Sequence, residues 1–202
     1  MSSENATTDQ PQSAYFLVAG DDTPVTHTLS VLVDNEPGVL ARVIGLFSGR
    51  GYNIESLTVS ETEHEKQLSR ITIVTTGTEA VLIQIKSQLD RIVPVHEVRD
   101  LTSIALSKGY EKPLERELAL VKVRGTGELR LEALRIADAF KAEVVDATTD
   151  HFIFQITGRT PKIEQFIAIL RPLGLVEICK TGVAAVSRGA EAINDASNAA
   201  ND

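Results

Sequence analysis

The sequence has little aromatic character: no tryptophan, three tyrosines and six phenylalanines in 202 residues. A hydrophobic core must therefore be assembled from Val, Ile, Leu and Ala. A single cysteine, Cys179, excludes an internal disulfide, and with no CxxC pair it also excludes a cysteine-based metal site. The four histidines, His27, His64, His96 and His151, show no ligand spacing. Long apolar runs are missing too. The longest near the start, residues 14–19, is too short to span a membrane, and polar and acidic residues precede it where a secretion signal carries basic ones. We expect a reducing, cytoplasmic location.

A surplus of positive charge is also absent. Lys and Arg number 20 against 28 Asp and Glu, a net charge of −8. Residues 1–26 and 189–202 carry acidic groups and no basic ones, so the acidity gathers at the two ends and the body is nearly neutral. No basic stripe is present to steer a polyanion.

What is present is regular patterning. Residues 27–33 alternate as a strand and end in Asp34-Asn35-Glu36-Pro37-Gly38. Val39, Leu40, Val43, Ile44 and Phe47 then recur at helical spacing, with Pro37 suited to a first turn and residues 49–51 a stop. Two β-rich stretches follow, 52–60 and 68–75, joined by a charged connection. A helix through Val81, Leu82, Ile85 and Leu89 comes next, and residues 92–101 close the unit as a strand. This is a β-α-β-β-α-β order. It recurs about ninety residues later: strand 117–123, a helix with Leu129, Ala133, Ile136, Ala137 and Phe140 on one face, strands 143–148 and 151–157, a helix through Ile163, Phe166, Ile167 and Leu170, and one strand over 175–186. The pattern predicts an α+β protein of two tandem ferredoxin-like domains. We expect an N-terminal extension over 1–26, a first domain over 27–104, a linker over 105–114, a second domain over 115–189 and a disordered tail over 190–202.

Catalytic motifs do not emerge. Gly125-Thr126-Gly127 lacks the lysine of a phosphate loop and the third glycine of a dinucleotide fingerprint, and reads as a strand-to-helix turn. Ser48 and Ser187 lie in no nucleophile elbow. Cys179 sits in an apolar strand pattern and is expected as a buried thiol, and His151 as a solvated turn residue. Phe152 and Phe154 share one strand face, where core packing is expected rather than base stacking, since no RNA-recognition signature surrounds them. We expect no catalysis and no nucleic-acid binding by this chain, and no cofactor or metal within it.

The turn at residues 34–40 carries the most chemistry. A strand feeding a helix through Asn-Glu-Pro-Gly presents the backbone N–H groups of Gly38, Val39 and Leu40, and a helix N-terminus favours a carboxylate by about 0.3–1 kcal/mol. Gly38 leaves room for close approach. Two roles are open on these residues alone: a seat for the carboxylate of a small zwitterion, or a helix capped by Asn35 with Gly38 easing the turn. Gly45 inside the helix costs about 1 kcal/mol relative to Ala, which suggests a close neighbour there.

Residues 30–60, SVLVDNEPGVLARVIGLFSGRGYNIESLTVS, resemble the N-terminal ACT domain of the regulatory small subunit of acetohydroxyacid synthase, also called acetolactate synthase. The run IGLFSGRGYNIESLTV is the more specific part. Leu68-Ser69-Arg70, ERELALVKV (115–123) and KIEQFIAILRPLGLVEICKTGVAAVSRG (162–189) fit the same family, so the resemblance spans about residues 27–189. It implies a non-catalytic subunit that binds and activates a large catalytic subunit and confers feedback inhibition by a branched-chain amino acid, usually valine. The thiamine diphosphate, Mg²⁺ and FAD belong to the large subunit. The resemblance also implies a homodimer through ACT domains with the effector between them, held by Asn35, Gly38, Val39 and Leu40 of one protomer and by Asn53 and Ile54 of the other. Pro37 stands where many relatives have Ser. The alternative is an ACT-type amino-acid sensor acting on a different enzyme or a transcription system.

Overall fold

β1 (Val25–Asp34) is the hub of the first half of the molecule, a computed structural model describing residues 23–63 and 67–190. It pairs antiparallel with β3 (Leu68–Gly77) on one side and β4 (Val95–Asp100) on the other, and β2 (Ser56–Glu63) adds outside β3 to give the order β2-β3-β1-β4. The helices α1 (Val39–Arg50) and α2 (Glu79–Leu89) lie on one face. Their apolar stripes supply Val39, Val43, Phe47, Ile85 and Leu89, which close over Leu29, Val31 and Val33 of β1 and Ile71 and Ile73 of β3. Gly51, at φ 69°, ends α1, and Thr78 caps α2 by accepting from the Val81 N–H.

The second half repeats this plan. β5 (Leu114–Arg124) is central between β7 (His151–Gly158) and β8 (Leu175–Lys180), with β6 (Glu143–Ala147) at the edge, in the order β6-β7-β5-β8. α4 (Gly127–Phe140) and α5 (Thr160–Leu170) cover one face, and Phe154 and Phe166 are fully buried there. Four of the six phenylalanines, Phe140, Phe152, Phe154 and Phe166, contact one another in this core at ring-centre distances of 5.3–6.2 Å. The tandem ferredoxin-like α+β architecture predicted from the sequence is the one observed. Its repetition extends to a detail: the register breaks at Leu32/Val33 where β1 meets β4, and ninety residues later at Lys122/Val123 where β5 meets β8.

Three expectations require correction. Residues 25 and 26, assigned to the extension, form the start of β1; residues 1–22 and 191–202 lie outside the described residues, as does the centre of the connection between β2 and β3. Residues 101–107 are neither strand end nor linker but a helix, α3 (Leu101–Ser107), capped by Asp100, whose carboxylate accepts from the Ser103 N–H at 3.0 Å and the Ser103 hydroxyl at 2.8 Å. The stretch 175–186 is not one strand. Gly182, at φ +81°, breaks it, so that β8 pairs with the C-terminal half of β5 and a short β9 (Ala184–Val186) turns back to pair with Leu114, Glu115 and Arg116 at its start.

α3 and β9 join the halves. They lie over the second face of the N-terminal sheet, where Leu101, Val183 and Ala185 bury Val74. The Val183 N–H donates to Ser56 Oγ at 2.8 Å, the Thr28 N–H donates to Thr102 Oγ1 at 3.0 Å, and the Thr28 hydroxyl donates to Glu115. A hypothetical Cβ on Gly182 would stand 2.9 Å from both Ser56 Oγ and Thr58 Oγ1, so this close approach requires glycine.

Candidate effector site at the start of α1

The turn after β1 is pinned at its base. Asp34 N–H donates to the Pro94 carbonyl at 2.9 Å and Asn35 N–H to the Gln67 carbonyl at 2.7 Å, tying the turn to the β4 and β3 entries. Gly38 then adopts φ 90°, ψ −10°, a left-handed conformation that glycine alone takes at little cost, with nothing within 4 Å of where a Cβ would be. No side chain caps α1 and no acidic residue stands in its first turn. The first-turn amides therefore lack a side-chain acceptor, and the Val39 N–H makes only a long bond to the Glu36 carbonyl at 3.5 Å. Asn35 is exposed and is not a cap, so of the two roles open at this turn the structure removes the capping one. Val39 is buried in the core while Leu40 stays exposed beside the turn. Glu36 bonds Arg42 at 3.2 Å, and Asp34 meets His96 Nε2 at 2.6 Å.

Asn53 and Ile54 sit at the opposite end of α1, past its glycine cap. Tyr52 N–H returns to the Phe47 carbonyl at 3.0 Å, and the Asn53 carbonyl accepts the Thr75 hydroxyl at 2.6 Å, leaving the Asn53 side chain exposed. Ile54 is half-buried against the core. A helix of 12 residues is about 18 Å long. One protomer therefore does not bring Asn35, Gly38, Val39 and Leu40 to Asn53 and Ile54; the six gather only if two copies meet.

Other singled-out residues fall into place. Gly45 has nothing within 4 Å of where a Cβ would stand, so no neighbour among the described residues exacts it. Cys179 is exposed, against expectation. It pairs with Leu120 across the sheet and so follows β5 onto the face that carries no helix. His151 is not a free turn residue: its ring reaches Thr148 Oγ1 at 2.7 Å and Asp146 at 2.8 Å. The Thr148 oxygen also accepts the Asp150 and His151 N–H groups, and a hydroxyl so engaged staples the hairpin. Phe152 and Phe154 are core residues, with the Arg130 guanidinium 3.7 Å from the Phe152 ring centre. Among the described residues no group of three His, Cys, Asp or Glu side chains is placed to hold a metal ion, and no helix is long and apolar enough to cross a membrane.

Comparison with known proteins agrees with this architecture. Residues 29–97 match a family described as "AHAS small subunit-like ACT domain" and residues 116–189 one described as "Small subunit of acetolactate synthase". An acetolactate synthase small subunit of Mycolicibacterium smegmatis is 42% identical over 171 residues, 85% of this chain and 96% of that one. The isozyme 3 small subunit of Salmonella typhimurium is 44% identical over 162 residues, 80% and 94% of the two chains. A crystal structure of the small subunit from Thermotoga maritima superposes with a TM-score of 0.73 at 35% identity, covering 83% of this chain and 99% of that one. Matched in both repeats and along four fifths of its length, this chain belongs to the family of acetolactate synthase small subunits, the regulatory and non-catalytic subunits of that enzyme.

Proposed function

We propose that this chain binds the catalytic large subunit of acetolactate synthase, raises its activity, and makes it sensitive to a branched-chain amino acid, valine in the first instance. Thiamine diphosphate, Mg²⁺ and FAD would reside in the large subunit, and the setting would be cytoplasmic branched-chain amino-acid synthesis. Residues 27–104 serve as the effector-binding and dimerising unit and 115–189 as a second regulatory unit. One observation supports this: α1 starts with no side-chain cap, a left-handed glycine and no acidic residue in its first turn, the nearby Asp34 and Glu36 being paired with His96 and Arg42, while its companion residues lie at the far end of the same helix. The effector carboxylate sits on the amides of Gly38, Val39 and Leu40 beside Asn35, and Asn53 and Ile54 of a second copy complete the cavity.

Such a site regulates by linkage. An effector held between two protomers favours one arrangement of the dimer, and a catalytic subunit that distinguishes the arrangements responds with a coupling of about 1–3 kcal/mol. The test mixes the purified chain with the catalytic subunit and measures acetolactate formation with and without valine. Stimulation by the chain and its reversal by valine are expected. Gly38→Asp, which sets a carboxylate in the seat, should retain stimulation and raise the inhibiting valine concentration about tenfold or more. Absence of stimulation would favour a sensor that serves another enzyme. Lost stimulation with unchanged valine sensitivity in Gly38→Asp would remove the site assignment.

A further inference from the structure

Between the second face of the N-terminal sheet and the β5–β9 pair runs a cleft of about 290 Å³. One wall is polar, made of Thr58, Ser60 and Thr62 from β2 with Arg70 and Thr72 from β3. The opposite wall is mostly aliphatic, made of Leu114, Ala184, Ala185 and Val186, with Arg116 beside them. Ser60 and Arg70 are direct cross-strand partners, as are Thr58 and Thr72, so the polar groups form one continuous patch.

Two atoms in this patch are anomalous. Arg70 Nε and Thr58 Oγ1 are buried and have no hydrogen-bond partner among the described residues. Burial also pulls the Arg70 guanidinium below its ordinary pKa, with no carboxylate among the described residues acting the other way. A buried donor left unmade costs about 1–3 kcal/mol, and more when it is charged. In a chain with 28 acidic residues, no described residue lining this cleft is acidic. Arg70, Thr58, Ser60 and Thr72 thus line the cleft with no acidic side chain among its described lining residues, while the Thr62 hydroxyl donates to the Leu68 carbonyl and Arg116 Nη1 to the Glu115 carbonyl.

We propose that the cleft binds a small aliphatic carboxylate, with its oxygens on Arg70 and Thr58, its hydrocarbon against Ala185 and Val186, and Arg116 at the mouth. The polar wall supplies charge-assisted donors for an oxyanion. The aliphatic wall selects a ligand with a short hydrocarbon body over a bare ion. The volume lies at the small end for ligand cavities, which suits a short-chain acid. This site is distinct from the start of α1 and does not depend on the effector assignment made there.

The test titrates the full chain with butyrate, with neutral butyramide and with inorganic phosphate, following the Nε–Hε resonance of Arg70 by NMR. Butyrate should shift it saturably, butyramide should leave it in place, and phosphate should bind more weakly. Arg70→Met should abolish the response measured by calorimetry, and Thr58→Val and Arg116→Gln should each weaken it about tenfold, so the result stands even if the arginine variant fails to fold. Gly38→Asp should bind butyrate as the wild type does. No saturable shift, equal binding of butyramide, or phosphate binding as tightly as butyrate would each overturn the proposal. Loss of butyrate binding in Gly38→Asp but not in Arg70→Met would place the acid at α1, and the proposal would fall while the effector reading survived.

Discussion

The two sheets share one plan and differ in what lies on their second faces. β1 has six consecutive buried residues, whereas β5 alternates buried and open along most of its length. In the N-terminal sheet the face away from α1 and α2 is roofed by α3 and β9, and hydroxylated residues (Thr28, Ser30, Thr58, Thr72) share it with Leu32, Arg70 and Val74. In the C-terminal sheet no described element covers the corresponding face. Leu120 and Ile153 lie among Lys122, Arg124, Asp146 and Glu177, and a broad cleft of about 710 Å³ opens at one end of it. Within one protein, the same topology thus serves once as the middle layer of a stack and once as an outer wall. Which it becomes is set by side chains on one face of the strands, not by the order of elements.

The contrast can be broken most strongly at paired leucines. Leu32 and Leu120 both belong to second faces, yet Leu32 is 6% exposed and Leu120 37%. Leu32→Ala should cost about 2–5 kcal/mol in chemical denaturation and Leu120→Ala about 1 kcal/mol or less. Equal costs would mean that the C-terminal face is covered in solution. Gly182→Ala attacks the roof itself. It forces a left-handed alanine against Ser56 and Thr58, and a loss of about 1–2 kcal/mol is expected by the same measurement. Asp100→Ala removes the cap of α3 and the partner of His27, which lies 2.8 Å away, at about 1 kcal/mol. Faster amide exchange confined to α3 and β9 would sharpen the assignment of these two elements as a separate layer.

The smallest effect belongs to the open face. Lys122 donates to Glu177 and holds its carboxyl below the ordinary carboxylate value, first by hydrogen bonding and then by charge. A carboxyl depressed in the folded state adds stability above its unfolded pKa and loses it as pH falls through the folded one. NMR titration should therefore place Glu177 below a free glutamate, and Lys122→Met should return it to the ordinary range. A roofed counterpart would titrate with a far larger consequence for stability.

The order of the principal elements was legible because periods of two and of 3.6 are carried by the same Val, Ile and Leu residues that build the cores. α3 was not, because LTSIALS is too short to show a period and its signal is the single cap pair Asp100 and Ser103. The split of residues 175–186 hid behind an unbroken apolar pattern, with Gly182 as its one clue. Cys179 was misplaced because the bulge between Lys122 and Val123 decides which face β8 turns outward, and a bulge leaves no mark in composition. At the candidate site, the turn over Asn35, Gly38, Val39 and Leu40 could be read from residue chemistry. Arg70 could not, since its isolation depends on which part of the second repeat folds back over β3.

β5 has a mechanical property that follows from its partners. Its first three residues are bonded to β9 above the N-terminal sheet, and its later ones to β7 and β8 in the C-terminal core. Eleven extended residues make a rod about 36 Å long, clamped at both ends. No unpaired residue separates the two sets of bonds, since Arg116 pairs with Ala184 and the next residue, Glu117, with Gly158, so the two repeats are joined through one continuously paired strand.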